Sequence, residues 1–454
     1  MILFFTLVFV ANGNFICYNG GMKQKNEKHR HIKISWLPLD NAAKIYPPAM
    51  TEGWNALFRV SVTLNEPVDR QILKRALLKT IARFPNFAMQ LRRGFFWYYL
   101  DKLDGAPEIQ DDVQNPCARM RFSENGGFAF RVRCYNRRIA VEIFHVITDG
   151  GGGLSFLKTL TAEYLTLKYG VEIPRAGDLL DCNDAVSPEE IADGFPKYAG
   201  PKSVSEPACT AYHLNGTPDP DFLHVTTGIL DAAEISSRAK ALGATVTEYL
   251  TTVLLFAASD WKKARSEFRQ KRRPVKVTVP VNLRKVFGCK TLRNFANYAN
   301  VGLDTRLGEY SFEEAVKIVH HQLKLETDPH RLAAKIASNV NIEKNVFMRL
   351  VPLFIKNPIM SLAYRVEGDR KSTTCLSNLG RVELPEQMCP YVERFDFMLG
   401  SLIENPVASA AVSYDGKLAI NFTRTIEETF LERAFFTRLV KMGIHVKLES
   451  NQGN

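Results

Sequence analysis

A histidine followed four residues later by an aspartate is the feature of this sequence best suited to chemistry. His145 and Asp149 lie in a segment that reads Phe-His-Val-Ile-Thr-Asp and continues with four glycines, residues 150–153. An imidazole exchanges protons near neutral pH and can act as a general base. Glycines let a substrate or another part of the chain approach the backbone closely. The segment therefore predicts a proton-accepting histidine at the edge of a cleft.

Other interpretations of this segment can be compared with its residues. A dinucleotide-binding fingerprint requires a glycine where Ser155 stands, and a phosphate-binding P-loop requires the sequence Gly-Lys-Ser/Thr, which is missing here. A structural interpretation is compatible with the residues: His145 would be a hydrogen-bonded core histidine, and the glycines would form a tight turn between a strand and a helix. The motif alone leaves the structural and the catalytic interpretations open.

The pattern of apolar residues places His145 at the end of a strand. In the strand predicted at 139–145, Ile139, Val141 and Ile143 share a face with the histidine, which can project from the strand end into a cleft. The neighbouring predicted elements are a strand at 56–64, a helix that begins near Asp69 and ends before Pro85, an aromatic strand at 95–100, a strand at 128–135 that forms a hairpin with 139–145 through Asn136 and Arg137, and a helix at 154–169.

A second group of strands and helices follows a connection at 171–221 that is rich in Pro, Gly, Asp and Ser. Asp415-Gly416 is a strong signal for a two-residue hairpin turn. The predicted elements are strands at 223–230 and 275–281, helices at 231–241 and 247–262, hairpin strands at 408–413 and 417–423, and a final helix at 426–442. Because several strands pair as hairpins, we predict an α/β (α+β) fold of two lobes with mixed sheets, in preference to a doubly wound parallel sheet.

The motif resembles that of a known enzyme superfamily. His145, Asp149 and Gly150 match the HxxxDG signature shared by chloramphenicol acetyltransferase, plant BAHD acyltransferases, wax ester synthases, alcohol acetyltransferases and nonribosomal-peptide condensation domains. Within this superfamily the chain most resembles bacterial alcohol-acetyltransferase-like proteins, over about residues 36–445. The other segments that carry the resemblance are 39–44 (Leu-Asp-Asn-Ala-Ala-Lys), 279–284 (Val-Pro-Val-Asn-Leu-Arg), Asn294-Phe295, and 377–380 (Ser-Asn-Leu-Gly).

This resemblance implies a fold and a reaction. The fold has two chloramphenicol-acetyltransferase-like lobes, each a mixed sheet flanked by helices, with an active-site tunnel between them. The reaction moves an acyl group such as acetyl from a CoA thioester directly to an alcohol, without an acyl-enzyme. Acyl-CoA is then a co-substrate, and no cofactor is bound permanently. His145 is the expected general base, within a catalytic motif that includes Asp149 and Gly150.

The resemblance also assigns supporting roles. Asp149 is expected to be structural and to pair with Arg284, which matches the family's Asn-Leu-Arg position. An oxyanion needs a hydrogen-bond donor about 3 Å away. Ser377 or Asn378 is the expected donor, and Asn294 is a further oxyanion or substrate candidate. A turn held by hydrogen bonds of the asparagine side chain is the alternative interpretation of residues 377–380.

Two departures from the family pattern leave the substrates open. The plant DFGWG motif has only a loose likeness here, at residues 396–400, and the doubled histidine of condensation domains is absent because Phe144 precedes His145. Three hypotheses follow. The protein is a CoA-dependent O-acyltransferase, an enzyme that takes its acyl group from an acyl-carrier protein, or a non-catalytic binding module of the same fold. An amine is the alternative acceptor to an alcohol.

Composition limits the partners further. Of 454 residues, 46% are apolar and 24% are charged, as in globular proteins. The net charge of +11 is spread along the chain without basic arms or zinc knuckles, so no nucleic-acid partner is expected. The eight cysteines lack metal-ligand spacing, and His320 and His321 would point in different directions on a helix, so no metal site is predicted. We expect reduced thiols, a cytoplasmic location and a monomer that forms its own cleft.

The predicted domain limits begin with an N-terminal extension at 1–31. We expect residues 1–21 of it not to be translated, because Met22 opens a polar run and no Lys or Arg precedes Lys23. An N-terminal lobe at 32–175, a linker at 176–222 and a C-terminal lobe at 223–454 follow. The apolar residues 1–18 are too short for an ordinary transmembrane helix.

Two further segments have alternative interpretations. Residues 346–364 are apolar, but their charged residues and prolines exclude a spanning helix. We expect this segment to pack between the lobes or to line the tunnel, and a shallow membrane contact is the alternative. The basic segment 368–371 is expected to be a solvated turn, with a contact to CoA phosphates as the alternative.

Overall fold

The computed structural model describes residues 34–51, 54, 56–202, 210–265, 272–304, 306, 308–367, 369–403 and 405–452. The predicted extension at 1–31, with its expected start at Met22, and Gly368 of the basic segment lie outside the described residues.

The elements alternate between strands and helices along the chain. The first group comprises β1 (Trp36–Pro38), α1 (Tyr46–Ala49), β2 (Leu57–Leu64), α2 (Arg70–Arg83), β3 (Met89–Arg93), β4 (Tyr98–Lys102), β5 (Gln110–Asp111), β6 (Phe130–Tyr135), β7 (Arg138–Phe144) and α3 (Gly150–Tyr169). The connection carries the short helices α4 (Pro188–Ile191) and α5 (Phe195–Tyr198).

The second group begins with β8 (His224–Asp231), α6 (Ala232–Ala241), α7 (Val246–Arg265), β9 (Val275–Asn282), α8 (Leu283–Phe287) and β10 (Ala296–Leu303). Four helices follow: α9 (Phe312–Glu326), α10 (Pro329–Lys344), α11 (Val346–Leu350) and α12 (Leu353–Glu367). The last elements are β11 (Thr374–Arg381), β12 (Val392–Leu399), β13 (Val407–Tyr414), β14 (Lys417–Arg424), α13 (Phe430–Lys441) and β15 (Lys447–Ser450).

These strands form two mixed sheets and a small antiparallel one. The first lobe is built on five strands in the order β12-β2-β7-β6-β5, and the second on seven in the order β10-β9-β11-β13-β14-β8-β15. Parallel pairs, β5 with β6 in the first and β11 with both neighbours in the second, occur among antiparallel ones. β1, β4 and β3 form the small sheet. The predicted α/β (α+β) fold of two mixed-sheet lobes flanked by helices is confirmed.

One strand crosses between the lobes. β12 lies late in the chain, yet it pairs antiparallel with β2 of the first lobe, with Phe397 opposite Val60. The strands of one sheet therefore do not all come from one continuous part of the chain. The domain boundaries predicted at residues 175 and 222 stay a prediction.

Each lobe has its own hydrophobic core. In the first, α3 packs against α2, β2 and β7, and the rings of Phe87 and Phe156 stack with centroids 4.0 Å apart. In the second, α7 packs against α9, α13 and β9 and buries Trp261 completely. Burial of such apolar surface is the main contribution to the stability of each lobe.

The face of β7 opposite His145 carries a buried carboxylate. Glu142 is fully buried and accepts hydrogen bonds from Arg59 (3.1 Å), Arg131 (2.5 Å) and the backbone N–H of Cys117 (2.9 Å). Burial acts to raise the pKa of Glu142, but the charges of Arg59, Arg131 and Arg133 outweigh it and the pKa is lowered. This satisfied charge anchors the strand that ends at His145.

Several sequence-based boundaries need correction. The helix expected at 154–169 begins at Gly150, because the Asp149 side chain caps it. The aromatic strand expected at 95–100 is β4 at Tyr98–Lys102. The last helix begins at Phe430 and does not close the chain, since β15 follows it and pairs with β8.

The segment 346–364 forms α11 and most of α12. α12 packs against α1 of the first group, although its large apolar side chains include the exposed Phe354 and Leu362. The expected packing between the lobes or along the tunnel stays a prediction. Among the described residues no single helix is long and apolar enough to cross a membrane, and α6 and α7 meet that measure only as a pair bent by 86°.

Candidate active site

Two aromatic rings contact the ring of His145, and a hydrogen bond holds its backbone. The residue follows β7 directly, and its N–H donates to Ala56 O over 2.9 Å. Tyr46 stacks on the imidazole with ring centroids 4.8 Å apart, and Phe58 packs against it edge-on at 5.1 Å. These contacts leave the imidazole little freedom to rotate.

A hydrogen-bond relay that ends at the buried Asp40 selects the tautomer of the imidazole. Nδ1 of His145 lies 2.8 Å from Oδ1 of Asn294, and Nδ2 of Asn294 donates to Oδ2 of Asp40 over 3.1 Å. An ionised carboxylate only accepts, so the Asn294 amide must direct its NH₂ group at Asp40 and its oxygen at His145. The proton of a neutral imidazole is therefore on Nδ1. Nε2 is left with the lone pair that a general base uses.

Asp40 is the fixed end of this relay. It is fully buried, and its Oδ1 accepts from the backbone N–H of Ala43 over 2.8 Å. Burial raises the pKa of Asp40, and the charge of Arg293 (3.6 Å away) and the hydrogen bonds from Asn294 and Ala43 offset only part of that rise. Because protonation would remove an acceptor from Asn294, the relay is sensitive to acid.

Asp149 points away from the imidazole and joins the two lobes. Its Oδ1 accepts from the N–H groups of Gly151 and Gly152, each over 3.1 Å, and thereby caps α3. Its Oδ2 accepts from Arg284 Nη1 and from the N–H of Phe295, each over 2.8 Å. Burial acts to raise the pKa of Asp149, but Arg284 and these N–H donors outweigh it and the pKa is lowered.

The residues of the motif bind one segment of the second lobe, residues 291–295. His145 contacts Asn294, Asp149 contacts Phe295, and the Thr148 hydroxyl donates to Leu292 O over 2.6 Å. The segment and the motif therefore hold each other in place.

Gly152 permits this approach. A Cβ on Gly152 would lie 2.4 Å from Leu292 O and 2.0 Å from Thr148 Oγ1, distances that only glycine avoids. A Cβ on Gly150, the first residue of α3, would lie 2.9 Å from the Leu379 side chain of β11. The glycine run thus allows the second half of the chain to reach the motif.

The sequence-predicted site residues separate into two groups. His145, Asp149, Gly150, Arg284 and Asn294 lie together around the motif. The amide oxygen and nitrogen of Asn294 bind His145 and Asp40, so Asn294 contacts the imidazole directly, which the sequence did not anticipate.

Ser377 and Asn378 form the second group. Both lie on β11, and no hydrogen bond in the described part of the chain joins either to His145. The Asn378 amide donates to Thr247 Oγ1 over 3.0 Å and accepts from the N–H of Gly380. Ser377 is 9% exposed. Its neighbour Leu379 reaches Gly150.

Two clefts open near the residues described above. One of about 340 Å³ is lined by residues of α7, β9 and α9, among them Thr247 and Lys324. One of about 350 Å³ is lined by Met50, Trp54 and residues 119–123. The first touches Asn378 through Thr247, and the second lies beside the end of α1, which carries Tyr46. His145 itself lines neither of these two clefts.

The paired histidines of α9, His320 and His321, do not belong to a metal-binding group of side chains. His320 Nδ1 lies 3.2 Å from Oε1 of Glu248. Across the described ranges no group of three or more His, Cys, Asp or Glu side chains has a metal-binding arrangement.

Asp40 and Tyr46 are the contacts of the site that sequence reasoning missed. The segment 39–44 was singled out as a family likeness without a role for Asp40. An acidic residue three positions before a small one at a helix start signals a cap, as Asp40 does for Ala43. The second partner of Asp40 is Asn294, which lies 254 positions away in the chain. Tyr46 gave no sequence signal.

No protein-family model matches this chain. Two Mycobacterium tuberculosis proteins, Uncharacterized protein Rv2305 of strain ATCC 25618 / H37Rv and Uncharacterized protein MT2362 of strain CDC 1551 / Oshkosh, are each 24% identical over 367 residues. The match covers 76% of this chain and 81% of each relative.

Solved structures share the fold over almost the whole chain. Polyketide synthase associated protein 5 from Mycobacterium tuberculosis superposes with a TM-score of 0.60 at 14% identity, covering 89% of this chain and 97% of that one. TRI101 of F. sporotrichioides, complexed with coenzyme A and T-2, gives 0.59 at 10% identity, covering 92% and 100%. The condensation domain of the Monacolin K polyketide synthase MokA gives 0.56 at 12% identity, covering 90% and 96%. TRI3 trichothecene 15-O-acetyltransferase from Fusarium sporotrichioides gives 0.54 at 12% identity, covering 89% and 93%. The chain therefore has the two-lobed fold of these proteins.

Proposed function

We propose that this protein is an acyltransferase that moves an acyl group from a CoA thioester to an alcohol, with His145 as general base. The observation that carries the proposal is the relay from Asp40 through Asn294 to Nδ1 of His145, which leaves the Nε2 lone pair free in a fold that acyltransferases use.

The proposed reaction has two stages and no acyl-enzyme. Nε2 of His145 removes the proton of the acceptor hydroxyl while its oxygen attacks the thioester carbonyl. The tetrahedral intermediate then collapses, the C–S bond breaks, and the imidazolium returns the proton to the CoA thiolate. General-base catalysis of this kind typically contributes about 10²–10⁴ in rate. Asp149 and Arg284 take no part in the proton transfer and hold the segment that carries Asn294.

We assign the oxyanion donor to Ser377. Residues two apart in a regular strand share a face, and Leu379, two residues after Ser377 on β11, lies against Gly150, which supports Ser377 as the donor. Asn378 is directed to Thr247 instead. Loss of one oxyanion donor typically lowers kcat by about 10²–10³. Ser377→Ala is therefore expected to lower kcat without changing the KM for the acceptor.

Acyl-CoA is the donor that we favour, because TRI101, which shares the fold, was crystallised with coenzyme A. The cleft at Thr247 and Lys324 offers hydroxyl groups and a cation suited to a phosphorylated donor, and the tunnel expected between the lobes would connect it to His145. An acyl-carrier protein is the second candidate donor, because a polyketide synthase associated protein and a polyketide synthase condensation domain share the fold as well.

The donor can be identified by following free-thiol release from a series of acyl-CoAs with alcohol and amine acceptors. We expect release that depends on an alcohol, and an unchanged intact mass of the protein after incubation with acyl-CoA alone. Release only with an acyl-carrier thioester would favour the second donor. Absence of release from either donor would favour a non-catalytic module of this fold.

A further inference from the structure

Helix α12 is oriented with its apolar side chains outward. Phe354, Ile355, Ile359 and Leu362 are 63%, 47%, 57% and 63% exposed, whereas Lys356 is 1% exposed. A surface helix of a water-soluble protein normally has the opposite arrangement, with apolar residues inward and charges in water.

Specific polar contacts hold the helix in this orientation. Nζ of Lys356 donates to Phe96 O over 2.9 Å and lies 3.3 Å from the centroid of the Trp97 ring. Asn357 Nδ2 donates to the hydroxyl of Tyr98 over 2.9 Å. Burial, together with the charge of Lys44, lowers the pKa of Lys356 to about 8. Burying a lysine while exposing four large apolar residues costs stability in water, so the outward face needs a reason.

The exposed apolar surface extends beyond α12. Ile342, Val346 and Leu350 precede Phe354 at intervals of four residues and are 60%, 66% and 64% exposed. Phe95 is 67% exposed, and its carbonyl accepts from the N–H of Leu353 over 2.9 Å, which places it at the start of α12. We name this surface the apolar face; its members are Phe95, Ile342, Val346, Leu350, Phe354, Ile355, Ile359 and Leu362.

Cations border the apolar face. From Ile342 to Leu362 the sequence contains Lys344, Arg349 and Lys356, and its single acidic residue, Glu343, pairs with Lys44. Lys344 and Arg349 are exposed, as is Arg93 two residues before Phe95. Helices that lie in the plane of a bilayer combine an apolar face with Lys and Arg, which attract anionic headgroups.

We propose that the apolar face binds the surface of an anionic lipid bilayer, with Phe354, Ile355, Ile359 and Leu362 at the boundary between headgroups and acyl chains. A lipid occupant fits because the exposed side chains described on α12, up to Leu362, are all apolar and offer no hydrogen bonds to a protein partner. The bordering charges also complement anionic lipid. Exposed apolar patches on soluble proteins commonly mark sites of interaction with a protein or a membrane. This inference does not depend on acyl transfer.

Cosedimentation of the full chain with vesicles tests the proposal. We expect binding to vesicles of phosphatidylcholine with phosphatidylglycerol, and weaker binding to phosphatidylcholine alone. The double variant Phe354→Ser with Ile359→Ser should bind the vesicles at least about tenfold more weakly than the wild type, because two inserted side chains are lost. Leu325→Ser is the matched control, since Leu325 is 58% exposed on α9, outside the apolar face, and it should bind like the wild type.

The outcomes separate lipid from protein partners. Equal binding by the double variant and the wild type would overturn the proposal, as would no vesicle binding by the wild type. Sedimentation velocity of the same proteins measures their self-association. Self-association that the double variant abolishes, without vesicle binding, would assign the apolar face to a second copy of the chain and overturn the lipid proposal. Retained melting temperatures exclude unfolding as the cause of lost binding.

Discussion

Oδ1 of Asn294 lies 2.8 Å from Nδ1 of His145, although the two residues are 149 positions apart in the chain. The amide takes its orientation from Asp40, which accepts from Nδ2 of the same residue. The tautomer of the imidazole therefore depends on Asn294, in the second half of the chain, and on Asp40, near its beginning. The histidine itself directly follows β7 of the first lobe.

Replacing Asn294 with alanine should impair the base without unfolding the protein. We expect Asn294→Ala to lower kcat by about 10–100-fold, because Nδ1 loses the acceptor that fixes the tautomer. The ¹⁵N chemical shifts of the His145 ring, measured by NMR, should change from a single Nδ1–H tautomer to a mixture. Asn297→Ala is the matched control, and an unchanged tautomer in Asn294→Ala would contradict the relay.

The ion pair between Arg284 and Asp149 should contribute to stability more than to chemistry. Arg284→Met leaves a buried carboxylate without its cation and is expected to lower the free energy of unfolding by about 3–5 kcal/mol. Arg70→Met, which breaks the exposed pair with Asp111, should change it by less than about 1 kcal/mol. Denaturant unfolding measures both values, and similar small losses would show that the Arg284 pair is not structural.

Adjacent glycines of the motif should differ in their tolerance of a methyl group. Gly152→Ala is expected to destabilise the protein by about 1–3 kcal/mol, because the new Cβ meets Leu292 O and Thr148 Oγ1. Gly151→Ala should be nearly neutral, since its nearest neighbours are 3.4 Å away. Thermal melting of the two variants distinguishes them. Equal melting temperatures would mean that the 291–295 segment does not pack closely against the first turn of α3.

The buried Lys356 predicts a pH dependence of stability. Its pKa is lowered to about 8, and the pKa of an unfolded lysine is about 10.4. Between these values the unfolded chain binds more protons at this residue than the native protein does, so the stability contributed by Lys356 rises as pH rises from about 8 to 10. We expect the difference in melting temperature between the wild type and Lys356→Met to shift in favour of the wild type over this range. Lys324→Met is the exposed control, and a pH-independent difference would show that the pKa of Lys356 is not lowered.

The sequence predicts the local part of this site better than its long-range part. His145 at a strand end and the hairpin around Asn136 follow from period-two alternation and turn chemistry, which act between near neighbours. The contact of Asp40 with Asn294 and the pairing of β12 with β2 depend on how distant segments meet, which local patterns do not encode. The orientation of α12 was missed because its apolar residues imply burial, whereas it is Lys356 that is inward.

The most direct test of the account compares His145→Ala with His445→Ala in acceptor-dependent thiol release from acyl-CoA. His445 is an exposed histidine between α13 and β15, and it lines neither of the two clefts. We expect His145→Ala to lower kcat by about 10²–10⁴ with its melting temperature retained, and His445→Ala to keep the wild-type rate. Wild-type turnover in a folded His145→Ala variant would contradict the claim that this histidine is the catalytic base.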